Sequence, residues 1–261
     1  MKHAPRKRFG QHFLTDASVL AAIVEAVRPL PDDRLVEIGP GLGALTAALL
    51  QRVPRLEAVE IDRDLVARLQ RRWPAPRLTV HEADALAFDF AALAGGRALR
   101  LVGNLPYNIS SPLLVRLLSF RTVVSDAHFM LQKEVVDRIV APHGGTAYGR
   151  LSVMMQAHHA VQRLFDVPPG AFDPPPRVDS SVLRMTPLAR PMVRDTAVLE
   201  RLLAAAFQQR RKMLRGTLLP WLQARGVDGA DPAFGLSPSA RPEEVPVAAW
   251  ARLADALADA A

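Results

Sequence analysis

The stretch VEIGPGLGALT, Val36 to Thr46, passes from an apolar run through Gly39, Gly41 and Gly43 into residues with helical spacing. Glycine reaches positive φ without strain and lets a ligand approach the backbone closely, so the stretch is a tight turn between a strand and a helix. A plain strand-to-helix turn would satisfy the same pattern. The next apolar run adds an acid: AVEID places Glu60, beside Ile61, at a strand end where a carboxylate can accept both hydroxyls of a ribose. Together the two stretches point to a nucleoside cofactor. Gly39-x-Gly41-x-x-Ala44 followed by an acid about 20 residues on also fits a dinucleotide fingerprint, so a nicotinamide enzyme stays open at this point.

Outward from this turn, apolar and β-branched runs alternate with helical patterns. Strands are expected near Arg34–Ile38, Leu56–Ile61, Arg77–His81, Leu99–Gly103 and Ala127–Leu131, and helices near Leu45–Arg52, Asp64–Arg72, Pro112–Ser119 and Lys133–Ala141. Such alternation predicts an α/β fold, a Rossmann-like parallel sheet with helices on both faces. His159–Phe165 and Ser180–Met185 flank the proline-rich VPPGAFDPPPR and are expected as an antiparallel pair at one sheet edge. From Asp195 only helical periodicity remains, which predicts residues 1–188 as the sheet domain and 189–261 as a small helical domain.

Two further strand ends carry polar groups toward the same crevice. HEADAL supplies Asp84, whose carboxylate can take the exocyclic amine of an adenine while the Ala85 amide faces a ring nitrogen; an Asp here also suits a helix cap or turn. LVGNLPYNIS, Leu101–Ser110, ends the fourth strand with Asn104, Leu105, Pro106 and Tyr107. The N6 amine of adenine is a poor nucleophile because its lone pair is delocalised into the ring. Two acceptors on its hydrogens, the Asn104 side-chain oxygen and the Leu105 carbonyl, would favour a pyramidal nitrogen with an available lone pair. Pro106 stiffens the turn and brings no competing N–H, and Tyr107 can stack on the base. A preactivated electrophile is then required, and a methyl sulfonium fits, so the set points to S-adenosylmethionine rather than NAD.

Composition narrows the remaining classes. The chain of 261 residues has no Cys, which excludes disulfides, thiolate metal sites and thiol nucleophiles, and its His are scattered without metal-ligand spacing, so no metal is expected. No apolar run reaches the roughly 18 to 20 residues that span a bilayer, and MKHAPRKRFGQHFL lacks the apolar core of a secretory signal, so the expectation is a cytoplasmic protein without membrane attachment. A net charge of +7 suits a polyanionic partner, nucleic acid before membrane.

With these residues placed, the chain resembles the ribosomal RNA adenine dimethyltransferase family of the bacterial KsgA type. KRFGQHFL, VEIGPGLGALT, VEID, ADAL, GNLPYNISSPLL, MLQKEVVDRIVA, VPPGAFDPPPRVDSSV and FQQRRKMLR carry the resemblance in order. It implies a methyltransferase that dimethylates N6 of two adjacent adenosines near the 3′ end of small-subunit rRNA, within an immature subunit and as a monomer. It also implies that His12 and Leu14 help cover the methionine part of the cofactor, although the family usually has Asn where His12 stands. Phe172 is assigned the second face of the target base, opposite Tyr107, because its motif lies beside that base in the family. For RNA, the candidates are Arg6, Lys7 and Arg8, and the cluster Arg210, Arg211, Lys212 and Arg215, expected to share a helix face. The rivals are a DNA adenine-N6 methyltransferase, which would need a larger target-recognition region, and a non-catalytic assembly factor on the same scaffold.

Overall fold

The computed structural model describes residues 12–260. A seven-stranded sheet has the order β4-β3-β2-β5-β6-β9-β7, formed by β2 (Leu35–Ile38), β3 (Leu56–Glu60), β4 (Leu78–Glu82), β5 (Leu99–Asn104), β6 (Val124–Gln132), β7 (His159–Val167) and β9 (Ser180–Pro187). Strands β2 to β6 run parallel, and β9 returns antiparallel to β6. The chain starts mid-sheet at β2, runs outward through β3 and β4, and then comes back to β5, so crossovers leave in opposite directions between β2 and β5. Ligands of such sheets sit in the crevice beyond the carboxyl ends at that point. All four residues of β2 are buried, as a strand covered on both faces requires. The two proline-flanking runs are the expected edge pair, with β9 and β7 as neighbours.

Helices α2 (Ala44–Leu49), α3 (Arg63–Arg72), α4 (Phe90–Ala94), α5 (Ser110–Leu117) and α6 (Lys133–Val140) follow their strands. Three helices were absent from the expectation, α1 (Ala17–Val27), α4 and α7 (Arg150–Gln156). In α1 the local code is clear: Asp16 accepts from the Ser18 and Val19 amides at 2.8 and 3.1 Å, and Ile23, Val24 and Val27 form its buried stripe. Before it, the short β1 (Phe13–Leu14) pairs antiparallel with β8 (Phe172–Asp173). No helix among the described residues is long and apolar enough to cross a membrane.

Arg100, at the start of β5, joins three elements. Its Nε and Nη2 donate to Asp126 of β6 at 2.9 and 2.7 Å, and its Nη1 donates to Asp33 at 2.5 Å. Nη2 also donates to the Val27 carbonyl at 2.6 Å, where α1 leaves its last carbonyls without helical partners. The flanking carboxylates hold the guanidinium in its charged form by hydrogen bonding and attraction, against the effect of partial burial.

By contacts the chain divides into two compact units: one runs up to Val136 and resumes over Gln162–Pro187, the other comprises Asp137–Val161 and the chain from Leu188. This differs from the expected single break at 188, because residues 137–161 carry bonds to the helical region. Tyr148 Oη donates to the Val245 carbonyl at 2.8 Å, and the Leu188 and Met192 amides donate to His158 and Ala157 carbonyls at 2.9 and 2.8 Å. The second unit is built from α7, α8 (Thr196–Phe207), α9 (Leu218–Gln223) and α10 (Val247–Asp259), around fully buried Trp250, Leu202, Leu203 and Leu253.

Replacing Arg100 leaves Asp126, largely buried, without its counter-charge. Arg100→Met is expected to cost about 3 kcal/mol, the scale for breaking a buried ion pair on one side. Urea titration should show a lower midpoint with an unchanged slope; an unchanged midpoint would remove Arg100 from the interactions that hold α1, β5 and β6 together.

Candidate functional site

After β2 the chain turns through Gly39, Gly41 and Gly43, all at positive φ. At Gly41 the requirement is double, because a Cβ would also lie 3.1 Å from the Phe13 ring. The Gly41 amide donates to Glu60 Oε2 at 3.2 Å and the Asp62 amide to Oε1 at 2.9 Å. The Ile61 backbone also contributes a hydrogen bond, and a carboxylate has about four lone-pair sites. The carboxylate keeps acceptor capacity for a hydroxyl donor, which is what a ribose diol supplies. Burial pushes the Glu60 carboxyl up from its usual range, against its backbone hydrogen bonds.

At the end of β5, the Asn104 Nδ2 donates to the His12 carbonyl at 2.9 Å. A carbonyl only accepts, so the amide nitrogen is fixed on that side and Oδ1 faces away from it. No hydrogen bond among the described residues reaches Oδ1 or the Leu105 carbonyl, whereas the Leu105 amide is held by the Met130 carbonyl at 3.1 Å. Tyr107 Oη shares a 2.7 Å hydrogen bond with Ser180 Oγ, which fixes the ring. His12 stacks on that ring, with centroids 5.6 Å apart and planes at 29°.

One cavity of about 460 Å³ is lined by His12, Leu14, Gly39, Gly41, Glu60, Ile61, Asp84, Ala85, Asn104, Leu105, Pro106 and Tyr107. Asp84 is exposed and uses Oδ1 as a turn former, accepting from the Leu86 amide at 2.9 Å, which leaves its other oxygen for a ligand. His12 reaches Asn104 through its backbone, so the change from Asn to His at this position preserves that contact.

Phe172 does not join this set. It is 4 % exposed, pairs with Leu14 across β1 and β8, and packs with Ala171, Val167 and Val182. The β1–β8 pairing places Phe172, expected beside the target base, in the core. Among the basic candidates, Arg6, Lys7 and Arg8 lie outside the described residues. The cluster at 210–215 is not a helix face, because α8 ends at Phe207 and the Lys212 amide closes a turn on Gln209 at 2.8 Å. Arg210 is engaged, donating to the Thr146 carbonyl at 2.6 Å with Glu243 at 3.5 Å, while Arg211, Lys212 and Arg215 are exposed.

The cavity also contains residues that the sequence reading passed over: Glu37, Phe13, Arg68 and Arg72. Glu37 stands directly before the glycine turn in VEIG, a charged residue inside an otherwise apolar strand, and that was the available signal. It is 1 % exposed and accepts from Thr46 Oγ1 at 2.6 Å. Burial pushes its carboxyl up to about 7, helped by the nearby Glu60 charge and opposed by Thr46.

The model of the family described as ribosomal RNA adenine dimethylase matches residues 2–259. The chain is 58 % identical over 257 residues to the ribosomal RNA small subunit methyltransferase A of Bordetella pertussis, covering 98 % of this chain and 95 % of that one. It is 56 % identical over 259 residues to the protein of the same name from Leptothrix cholodnii, covering 98 % and 93 %. Among solved structures, a dimethyladenosine transferase from Plasmodium falciparum is similar with a TM-score of 0.79 at 25 % identity, over 93 % of this chain and 96 % of that one. The 23S rRNA methyltransferase ErmE follows with a TM-score of 0.72 at 26 % identity, over 94 % and 99 %.

A carboxyl raised by folding makes the folded state less stable as pH rises from the unfolded value, near 4, through the folded one, about 7 for Glu37. Glu37→Gln is therefore expected to stabilise the ligand-free protein by about 2 to 3 kcal/mol at pH 8 and by nothing at pH 4. Chemical denaturation at the two pH values checks this, and a difference independent of pH would mean that folding does not raise the Glu37 carboxyl.

Proposed function

The chain belongs to the ribosomal RNA adenine dimethylase family, and on that premise we propose that its cavity binds S-adenosylmethionine and presents adenosine N6 of small-subunit rRNA to it. The substrate is two adjacent adenosines near the 3′ end of that RNA, within an immature subunit, and the protein acts as a monomer in the cytoplasm. The observation that carries the reading is the fixed Asn104 amide, with Oδ1 and the Leu105 carbonyl as two acceptors that no hydrogen bond among the described residues reaches, at one strand end.

The donor set fits the cofactor. Glu60 retains acceptor sites for a ribose diol, Asp84 an oxygen for the adenine amine, and Gly39 and Gly41 admit close approach of the backbone. Glu37 adds a carboxyl to a cavity that would receive a cationic ligand, whose charge favours its ionised form. When bound, the cofactor supplies an activated methyl group. Leu14, Ile61 and Ala85 give the cavity apolar walls.

Toward the substrate, Asn104 Oδ1 and the Leu105 carbonyl accept the two N6 hydrogens and favour a pyramidal nitrogen. Tyr107, anchored through Ser180, offers its face to the flipped base. The alkylated nitrogen is acidic, so its proton can leave without a strong base. Acceptors held in place before the reaction need no reorganisation during it, which makes them effective in the transition state.

Purified protein offered methyl-labelled S-adenosylmethionine with naked rRNA, immature small subunits and duplex DNA should label adenine N6 in RNA; label in DNA alone would overturn the reading. Asn104→Ala should slow transfer by about a hundredfold with RNA affinity nearly unchanged, whereas near-normal turnover would dismiss the amine pocket.

Exposed Arg211, Lys212 and Arg215 are the proposed phosphate contacts in the second unit. Replacing all three with Gln should flatten the slope of log affinity against log salt by about 0.7 to 0.9 per lost contact. An unaltered slope would return them to an ordinary solvated surface.

A further inference from the structure

We propose that the imidazole of His12 is a stand-in for the target base: it covers the face of Tyr107 on which the adenine stacks, and the adenine displaces it on the way to Asn104. This rests on the methyl-transfer reading above and adds to it a residue that sets how readily a base is admitted.

Three observations carry it. The His12 and Tyr107 ring centroids are 5.6 Å apart, with planes inclined at 29°. A base between two rings needs about 7 Å, two van der Waals spacings, so His12 and the base cannot both stay where they are. Next, His12 Nδ1 lies 2.8 Å from the Pro174 carbonyl. That oxygen only accepts, so Nδ1 carries the proton and the ring is anchored to the β8 end of the chain rather than to its own strand. Finally, the His12 backbone and side chain do separate things. The carbonyl holds Asn104 at 2.9 Å while the ring rests on Tyr107, so rotation about the side-chain bonds uncovers Tyr107 without releasing Asn104. With Phe172 in the core, no second aromatic from the proline-rich loop competes for this place.

The consequence is selectivity. Displacing the ring gives up a stacked pair and a hydrogen bond to Pro174, a cost that a base can meet only when the attached RNA is bound elsewhere on the protein. A free nucleoside has no such support. A side chain without a ring at this position would leave the Tyr107 face open at all times.

The experiment uses the full chain and an rRNA fragment carrying 2-aminopurine at the target adenosine, whose emission falls on stacking. His12→Asn should bind this RNA about twofold to tenfold more tightly, the range for releasing one ring pair, with deeper quenching and a KM for unmodified RNA lowered by a similar factor. His12→Phe, which keeps a ring over Tyr107, should bind no more tightly than the parent. Calorimetry follows S-adenosylmethionine affinity in all three. Weaker RNA binding or unchanged quenching in His12→Asn would overturn the inference, as would a loss of cofactor affinity alone, which would assign His12 to the methionine end of the cofactor. If the parent protein transfers no methyl group to RNA, the functional reading itself fails and this inference with it; normal transfer by a parent whose His12→Asn variant binds identically overturns this inference alone.

Discussion

Strands β2 and β5 approach so closely at their carboxyl ends that a Cβ on Gly103 would lie 2.4 Å from the Ile38 carbonyl oxygen. Only glycine fits there, and the position matters because the next residue on each strand begins a functional loop. With the two backbones in contact, the turn at Gly39 and the NLPY segment emerge side by side: a Cβ on Gly39 would stand 3.7 Å from the Pro106 ring and 3.8 Å from the Asn104 carbonyl oxygen. A bulkier residue at 103 would separate the strands and move the cofactor turn away from the amine acceptors. The crevice between the two crossovers is a property of the topology; its dimension is set by this contact.

Within that crevice the charges are arranged against solvation. Glu37 and Glu60 lie in neighbouring strands, both almost fully buried; the Glu60 charge raises the cost of ionising Glu37, and the Asp62 charge that of Glu60. Their hydrogen bonds are partial compensation: Thr46 for Glu37, the Gly41 and Asp62 amides for Glu60. Placing unpaired carboxyls where water is scarce destabilises the empty protein and favours a cationic occupant. The same carboxylate also positions the turn, since Glu60 holds the Gly41 amide across the crevice floor. Cofactor site and loop geometry are thus one hydrogen-bonded arrangement.

The segment from His12 to Asp16 connects this arrangement to the far edge of the first unit. It supplies the carbonyl that orients Asn104, the β1 pairing that buries Phe172, the Phe13 ring over Gly41 and the cap of α1. Few of its residues would attract notice individually. Its effect comes from bridging β8 and the end of β5, far away along the chain.

From the sequence alone, the order of strands and helices, the glycine turn and the acids closing each strand were legible, because period-two and helical spacing and glycine's access to positive φ are local properties. Glu60, Asp84, Asn104 and Tyr107 could be placed in one crevice from their strand-end positions, since parallel topology brings all carboxyl ends to one edge. The tertiary structure decided the rest. It assigned residues 137–161 to the helical unit, through bonds such as that of Tyr148 to Val245 that no local pattern announces. It ended α8 before the basic cluster and tied down Arg210. It buried Phe172 and set His12 on Tyr107, two outcomes governed by which segments pair across more than 150 residues, as the His12 to Pro174 separation of 162 illustrates. Local spacing determines which way a side chain leaves its own strand; what it meets there depends on contacts made by distant parts of the chain.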